Sequence, residues 1–199
     1  DIVKKLYPFD YSVAGEGNEL AIKKFKSYLD FKIHSFSTSK TLNGWKIPVA
    51  QKVDEASIYM GKNKILDKKN SVFHTISQSI SFKGKLSGKE LAKNLTYSKV
   101  CPDSIPYNWT GLYRPNQKTW GFSVKKKLYD KIRLSNKKFF VSIKTKKKNY
   151  PMRVLDFELK GKSKKTIIIN AHNCHKFQAN DDISGCAVGI KIFQFLKKQ

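Results

Sequence analysis

Apolar positions along the chain change their spacing several times, and each change marks an element. Leu6-Tyr7-Pro8-Phe9 closes a short opening helix, because the residue before a proline is pushed out of the helical region. Gly15-Glu16-Gly17-Asn18 reads as a turn whose asparagine caps the next helix. Leu20, Ile22, Phe25, Tyr28 and Leu29 then place one apolar face on a helix running to about Asp30. Residues 31–36 alternate as a strand.

From residue 37 to about 148 the segments shorten and turn residues multiply: Asn43-Gly44, Gly61, Asn70, Gly84, Gly88. The apolar runs at 56–60, 72–76, 79–82 and 139–143 favour strands, so the stretch predicts a small β-rich module. Two helices interrupt it. Ser87-Gly88-Lys89-Glu90 has the capping-box spacing ahead of Leu91 and Leu95, and Ser123 can cap a helix over 124–132. The aromatic group Tyr107, Trp109, Tyr113, Trp120 and Phe122 could be a stacking platform for sugars or bases; core packing is the stronger reading, since aromatics supply most buried area in small β modules.

Residues 152–159 alternate again as a strand. After a turn at 161–163, residues 166–171 form a β-branched apolar run suited to a strand buried on both faces. A polar turn follows with His172, His175, Asp181 and Asp182, and from Ser184 the spacing is helical once more. Strand, side-chain-rich loop and helix is the layout by which open α/β sheets present ligands at strand ends. The simplest organisation is an α/β domain begun by residues 1–36, interrupted by a β-rich inserted domain over 37–148, and resumed over 149–199.

His172, His175 and Asp181 offer the nitrogen and oxygen donors that Zn²⁺ takes at ~2.0–2.2 Å. His175 and Asp181 suit a loop that leaves a strand and returns to a helix with both side chains facing one point, and the choice between His172 and His175 as the metal ligand stays open on spacing alone. Asp181 or Asp182 can equally be a helix cap. His172 and His175 point to opposite faces of an extended chain, so a shared ion requires a turn between them. Cys174 is a further, softer donor.

Composition narrows the function classes. No apolar run approaches the ~18 residues of a membrane-spanning helix, and no signal peptide is visible. Cys101, Cys174 and Cys186 lack paired spacing, which fits free thiols and a cytoplasmic location. The formal net charge is +25, yet among 40 basic residues only Arg114, Arg133 and Arg153 are arginine. Lysines spread through every segment, together with abundant Asn and Ile, read as genome bias rather than as specific nucleic-acid recognition, which favours arginine.

The segment Cys174-His175-Lys176-Phe177-Gln178-Ala179-Asn180-Asp181-Asp182-Ile183-Ser184-Gly185 resembles the Cys-His-Pro…Ala-Asn-Asp-Asn…Ser-Gly segment of a bacterial family of M28-like zinc aminopeptidase homologues. That family carries DUF4910 and DUF2172 domains and is often found among polysaccharide-biosynthesis genes. Leu6-Tyr7-Pro8…Ser12…Gly15-Glu16-Gly17 resembles its opening, and Trp45…Pro48, Ile105-Pro106-Tyr107 and Trp120-Gly121-Phe122 resemble its inserted domain. The resemblance implies an M28-type (phosphorylase/hydrolase-like) α/β sandwich with a β-rich insertion. It also implies one or two zinc ions, with His175 as a ligand and Asp181 as the bridging carboxylate, acting on a peptide or aminoacyl substrate.

Departures from the family pattern are Tyr11 for an arginine, Lys176 for the proline, Asp182 for the second asparagine and Ser123 for a cysteine. The orienting aspartate two residues after the histidine is also absent, whether counted to Phe177 or to Cys174. The family's general-base glutamate and remaining ligands fall beyond Gln199. The expectation is therefore an amino-terminal portion with an incomplete sandwich, inactive alone and only marginally stable. The alternative is a pseudoenzyme, or a glycan- or peptide-binding module with a vestigial metal site.

Overall fold

The computed structural model describes residues 1–12, 15–109 and 118–199. Helices α1 (Ile2–Leu6) and α2 (Glu16–Lys26) open the chain, followed by strands β1 (Lys32–Phe36), β2 (Thr41–Leu42) and β3 (Trp45–Lys46). Then come β4 (Ala50–Met60), β5 (Asn63–Asp67), β6 (Phe82–Ser87), α3 (Gly88–Ala92), β7 (Leu95–Thr96), β8 (Phe122–Ser123), α4 (Lys126–Arg133) and β9 (Lys138–Lys148). Strand β10 (Met152–Asp156) and helix α5 (Ile183–Leu196) come last. The result is a mixed α/β fold with several small sheets. It gathers into two compact units, residues 1–48 with 149–199, and residues 49–148.

In the unit of residues 49–148, β5, β4, β9 and β6 form one antiparallel sheet in that order. Period-two alternation decides its faces. Ala56 and Ile58 on β4, with Phe139, Val141 and Ile143 on β9, are buried. They pack with Leu91, Leu95, Phe122, Val124 and Ile132 into a single core. Tyr59 and Phe140, directly paired across the strands, lie on the opposite face with ring centroids 6.1 Å apart. The capping box at α3 forms fully: Ser87 Oγ accepts from the Glu90 amide, and the Glu90 carboxylate accepts from the Ser87 amide. The Ser87 amide, and after it the Ser87 hydroxyl, both donating to the Glu90 carboxylate, hold that carboxyl below its usual range.

The unit of residues 1–48 and 149–199 pairs β1 with β10 in antiparallel register, Lys32 opposite Asp156 and Phe36 opposite Met152. Its core brings Leu6, Tyr11, Ala21, Phe25 and Leu29 together with Ile183 and Ile190 of α5. Arg153 on β10 donates from Nε and Nη2 to the two carboxylate oxygens of Glu19 on α2, at 2.9 and 3.2 Å. This fork geometry resists rotation better than a lysine pair would.

Several elements differ from the sequence expectations. The largest difference is at residues 166–171, where no strand forms and Ile167 and Ile168 are 88% and 84% exposed. A β-branched run is only a strand when another backbone pairs with it, and among the described residues none does. Asn18 does not cap α2. Gly15 holds that position, and Asn18 sits within the helix, its amide reaching the Tyr11 carbonyl at 3.4 Å. The second helix also stops at Lys26 rather than near Asp30. Residues 72–76 make turns with only an isolated bridge, Thr75 to Phe122. Lys125, not Ser123, precedes α4, because Ser123 is engaged in β8.

Of the aromatic group, Trp120 stacks on Phe82 at 4.0 Å, Phe122 is fully buried, and Tyr107 meets Phe73 edge-on. Trp109 is exposed, and Tyr113 lies outside the described residues. No helix among the described residues is long and apolar enough to cross a membrane.

Gly88 is the most closely confined of the described glycines in the unit of residues 49–148. A Cβ there would lie 2.0 Å from the Ile132 carbonyl oxygen at the end of α4. Gly88→Ala must push backbone against backbone, and overpacking of this kind costs about 1–3 kcal/mol. The variant is expected to lower the urea midpoint of unfolding, with the slope of the transition unchanged.

Candidate functional site

The head of α5 gathers the chemistry. Asp182 is its N-cap: Oδ1 accepts from the Gly185 amide at 3.1 Å, and Oδ2 accepts from the main-chain N–H of His172 at 3.2 Å. One carboxylate thereby starts a helix and holds the beginning of the preceding loop. Gly185 permits that closeness, since a Cβ there would meet Asp182 Oδ1 at 2.2 Å. Ile183, fully buried, anchors the first turn in the core. The Asp181–Asp182 peptide is cis.

The His172 ring lies between the two carboxylates. Its Nε2 is 3.2 Å from Asp181 Oδ1, and its Nδ1 is 3.6 Å from Asp182 Oδ2. The His172 and Asp181 side chains are both more than half exposed, so as an ion pair they contribute little stability. His175 turns its Nδ1 to the Lys176 carbonyl at 2.9 Å. Of the two histidines left open by the sequence, the structure thus sets His172 against Asp181. His172 sits one residue beyond the apolar run, and the hydrogen bond its main-chain N–H donates to Asp182 Oδ2 fixes the backbone that carries its ring. Sequence spacing carries no signal for that bond.

Below the ion pair the loop is held by Gln178, which is 1% exposed. Its Oε1 accepts from the amides of Cys174 and His175, and its Nε2 donates to the carbonyls of His172 and Asp181. Sequence reasoning passes over this residue, because a lone glutamine in a polar turn gives no periodic signal. Phe177 beside it has φ of 52°, a left-handed value for a non-glycine residue, and its ring meets Tyr7 at 5.8 Å. Lys176 adds an ion pair to Asp10 at 3.6 Å.

Two further groups surround the site without being reactive. Burial, with the negative charge of Asp182 second, pushes the Cys186 thiol up to about 11. Burial likewise raises the Tyr11 phenol far above its ordinary value, and its hydroxyl donates to the Leu6 carbonyl at 2.7 Å. Both hold their protons at neutral pH and act as packing groups. Cys174 enters through the hydrogen bond its main-chain N–H donates to Gln178 Oε1.

A zinc ion bound tetrahedrally at ~2.0–2.2 Å separates two of its ligand atoms by about 3.3–3.5 Å. The 3.2 Å between His172 Nε2 and Asp181 Oδ1 is close to that span. The donor types and their separation fit half a metal site. Among the described residues, no three His, Cys, Asp or Glu side chains converge to complete one.

The full chain, residues 1–199, matches the family described as a domain of unknown function, DUF4910. It is similar to a Clostridium acetobutylicum protein named for polysaccharide biosynthesis and for an aminopeptidase-like domain, with 24% identity over 199 residues. That match takes in 100% of this chain and 44% of the relative. A crystal structure from Clostridium acetobutylicum, of a protein named as a peptidase, superposes with a TM-score of 0.83 at 22% identity. It covers 100% of this chain and 46% of the solved one, and the likeness is one of fold. The chain therefore spans less than half the length of each.

Two tests follow from this geometry. Asp182→Ala should destabilise the protein by about 0.5–2 kcal/mol in urea unfolding through the lost cap, whereas Asp182→Asn, which still caps, should retain most of the stability. Cys186 should alkylate far more slowly than the exposed Cys101 at pH 8, followed by mass spectrometry, because a thiol at about 11 is roughly a thousandth ionised there.

Proposed function

The chain belongs to the DUF4910 family over residues 1–199, and from that premise we propose that it carries part of the active centre of a metal-dependent aminopeptidase-like hydrolase. The observation that carries this reading is the His172 imidazole held 3.2 Å from the Asp181 carboxylate at the head of α5. The aminopeptidase-like name of the curated relative supports the reaction class: hydrolysis of an amide bond next to a free amine. We read the architecture as an M28-type sandwich into which the β-rich domain of residues 37–148 is inserted, and the compartment as cytoplasmic.

In this reading Asp181 is the central carboxylate ligand, and the imidazole comes from His172 or from His175, which the family resemblance assigns. A bound zinc ion would polarise the scissile carbonyl and lower the pKa of a water molecule. The chain's own residues orient the donors: Asp182 fixes the His172 main chain, Gln178 closes the loop, and Ile183 anchors the helix beneath Asp181. The remaining ligands and the general base would come from polypeptide corresponding to the rest of the longer relatives. The 199 residues by themselves would then lack activity.

The test uses the full-length protein. Elemental analysis should find one or two zinc ions per chain, and an aminoacyl p-nitroanilide should be cleaved in a chelator-sensitive way. Asp181→Asn should remove zinc and activity together, while His172→Ala and His175→Ala, compared directly, identify the imidazole ligand. A full-length protein with neither zinc nor hydrolysis would favour a binding module instead.

A further inference from the structure

Gln178 is a polar side chain buried to 1% exposure. Its planar carboxamide meets four main-chain groups on both limbs of the turn. Oε1 accepts from the amides of Cys174 and His175, the latter at 2.9 Å. Nε2 donates to the carbonyls of His172 at 3.4 Å and Asp181 at 2.9 Å. Two acceptor lone pairs and two donors in one plane are a carboxamide's full capacity, and all of it is spent here. An apolar side chain of the same length would fill the space and leave four main-chain groups without this partner.

The limbs joined in this way are the ones that matter for the candidate site. One carries His172, Cys174 and His175; the other carries Asp181. The separation of the imidazole from the Asp181 carboxylate depends on how far apart their backbones stand, and Gln178 bonds to the carbonyl of each of those two residues. The His172 and Asp181 side chains are both exposed, and Gln178 ties their main chains together at the carbonyls.

We propose that Gln178 is the positioning residue of this loop: its carboxamide sets the distance between the His172–His175 limb and Asp181, and so presets the donors for a divalent cation. The proposal rests on the metal reading above. Gln178 touches neither substrate nor ion and acts through the residues it holds. A preset pair gives up little conformational freedom on binding, whereas a loose one must be ordered first.

The experiment compares full-length wild type with Gln178→Met, of similar length and volume, and Gln178→Glu, which keeps the acceptor and loses both donors. Deuterium uptake is followed over residues 172–182, and Zn²⁺ affinity is measured by competition with a chromophoric chelator. Expected for Gln178→Met are faster exchange and Zn²⁺ binding weakened about 10–100-fold, the usual effect of losing a group that orients a ligand. Gln178→Glu should fall between, and it replaces Gln178→Met if that variant fails to fold. Unchanged exchange, or faster exchange with unchanged affinity, overturns the proposal. If wild type binds no Zn²⁺, the metal reading falls and takes the cation half of the proposal with it; the exchange rates then decide separately whether the carboxamide holds the turn.

Discussion

Every main-chain N–H and C=O that leaves a helix or sheet still needs a partner, and that requirement shapes the loop before α5 more than any charge does. Its answer is two side chains, each serving several masters. Asp182 binds one amide of the helix and one of the loop, and Gln178 binds two amides and two carbonyls. The exposed imidazole and carboxylate that could do chemistry are passengers on this frame. The frame in turn stands on Ile183 and Ile190, buried among Leu6, Tyr11 and Phe25. The candidate site, its packing and backbone satisfaction meet within one turn of helix.

How legible this was depended on what kind of interaction makes each element. The capping box at Ser87 and Glu90 was readable because both partners lie within a single turn of chain. The runs at 56–60 and 139–143 read as strands, and they do pair with each other inside β4 and β9. The run at 166–171 is richer still in β-branched residues and is no strand, because pairing is a property of two segments and composition describes one. Asn18 failed as a cap for a related reason: the glycine before Glu16 takes the extended conformation, and the asparagine amide is drawn to the carbonyls of residues 11 and 12.

The candidate site divides in the same way. That a strand-like run, a polar loop and a helix would carry His172, His175 and Asp181 together was visible in the order of residues. Which imidazole faces Asp181 was not, because the choice is made by an amide-to-carboxylate bond ten residues apart in sequence. Gln178 was invisible for a different reason. Its role lies wholly in bonds to main-chain atoms, and those leave no trace in the identity of the neighbouring side chains.

The bare isoleucines at 167 and 168 have a practical bearing. Helix α5 adds Val188, Phe195 and Leu196, all exposed, so the unit that holds the candidate site offers water an oily flank on its helix as well as an unzipped stretch of backbone. Such surfaces adhere to whatever greasy or strand-like neighbour they meet first. Until that flank is sheltered, the molecule's worst enemy in concentrated solution is another molecule of its own kind.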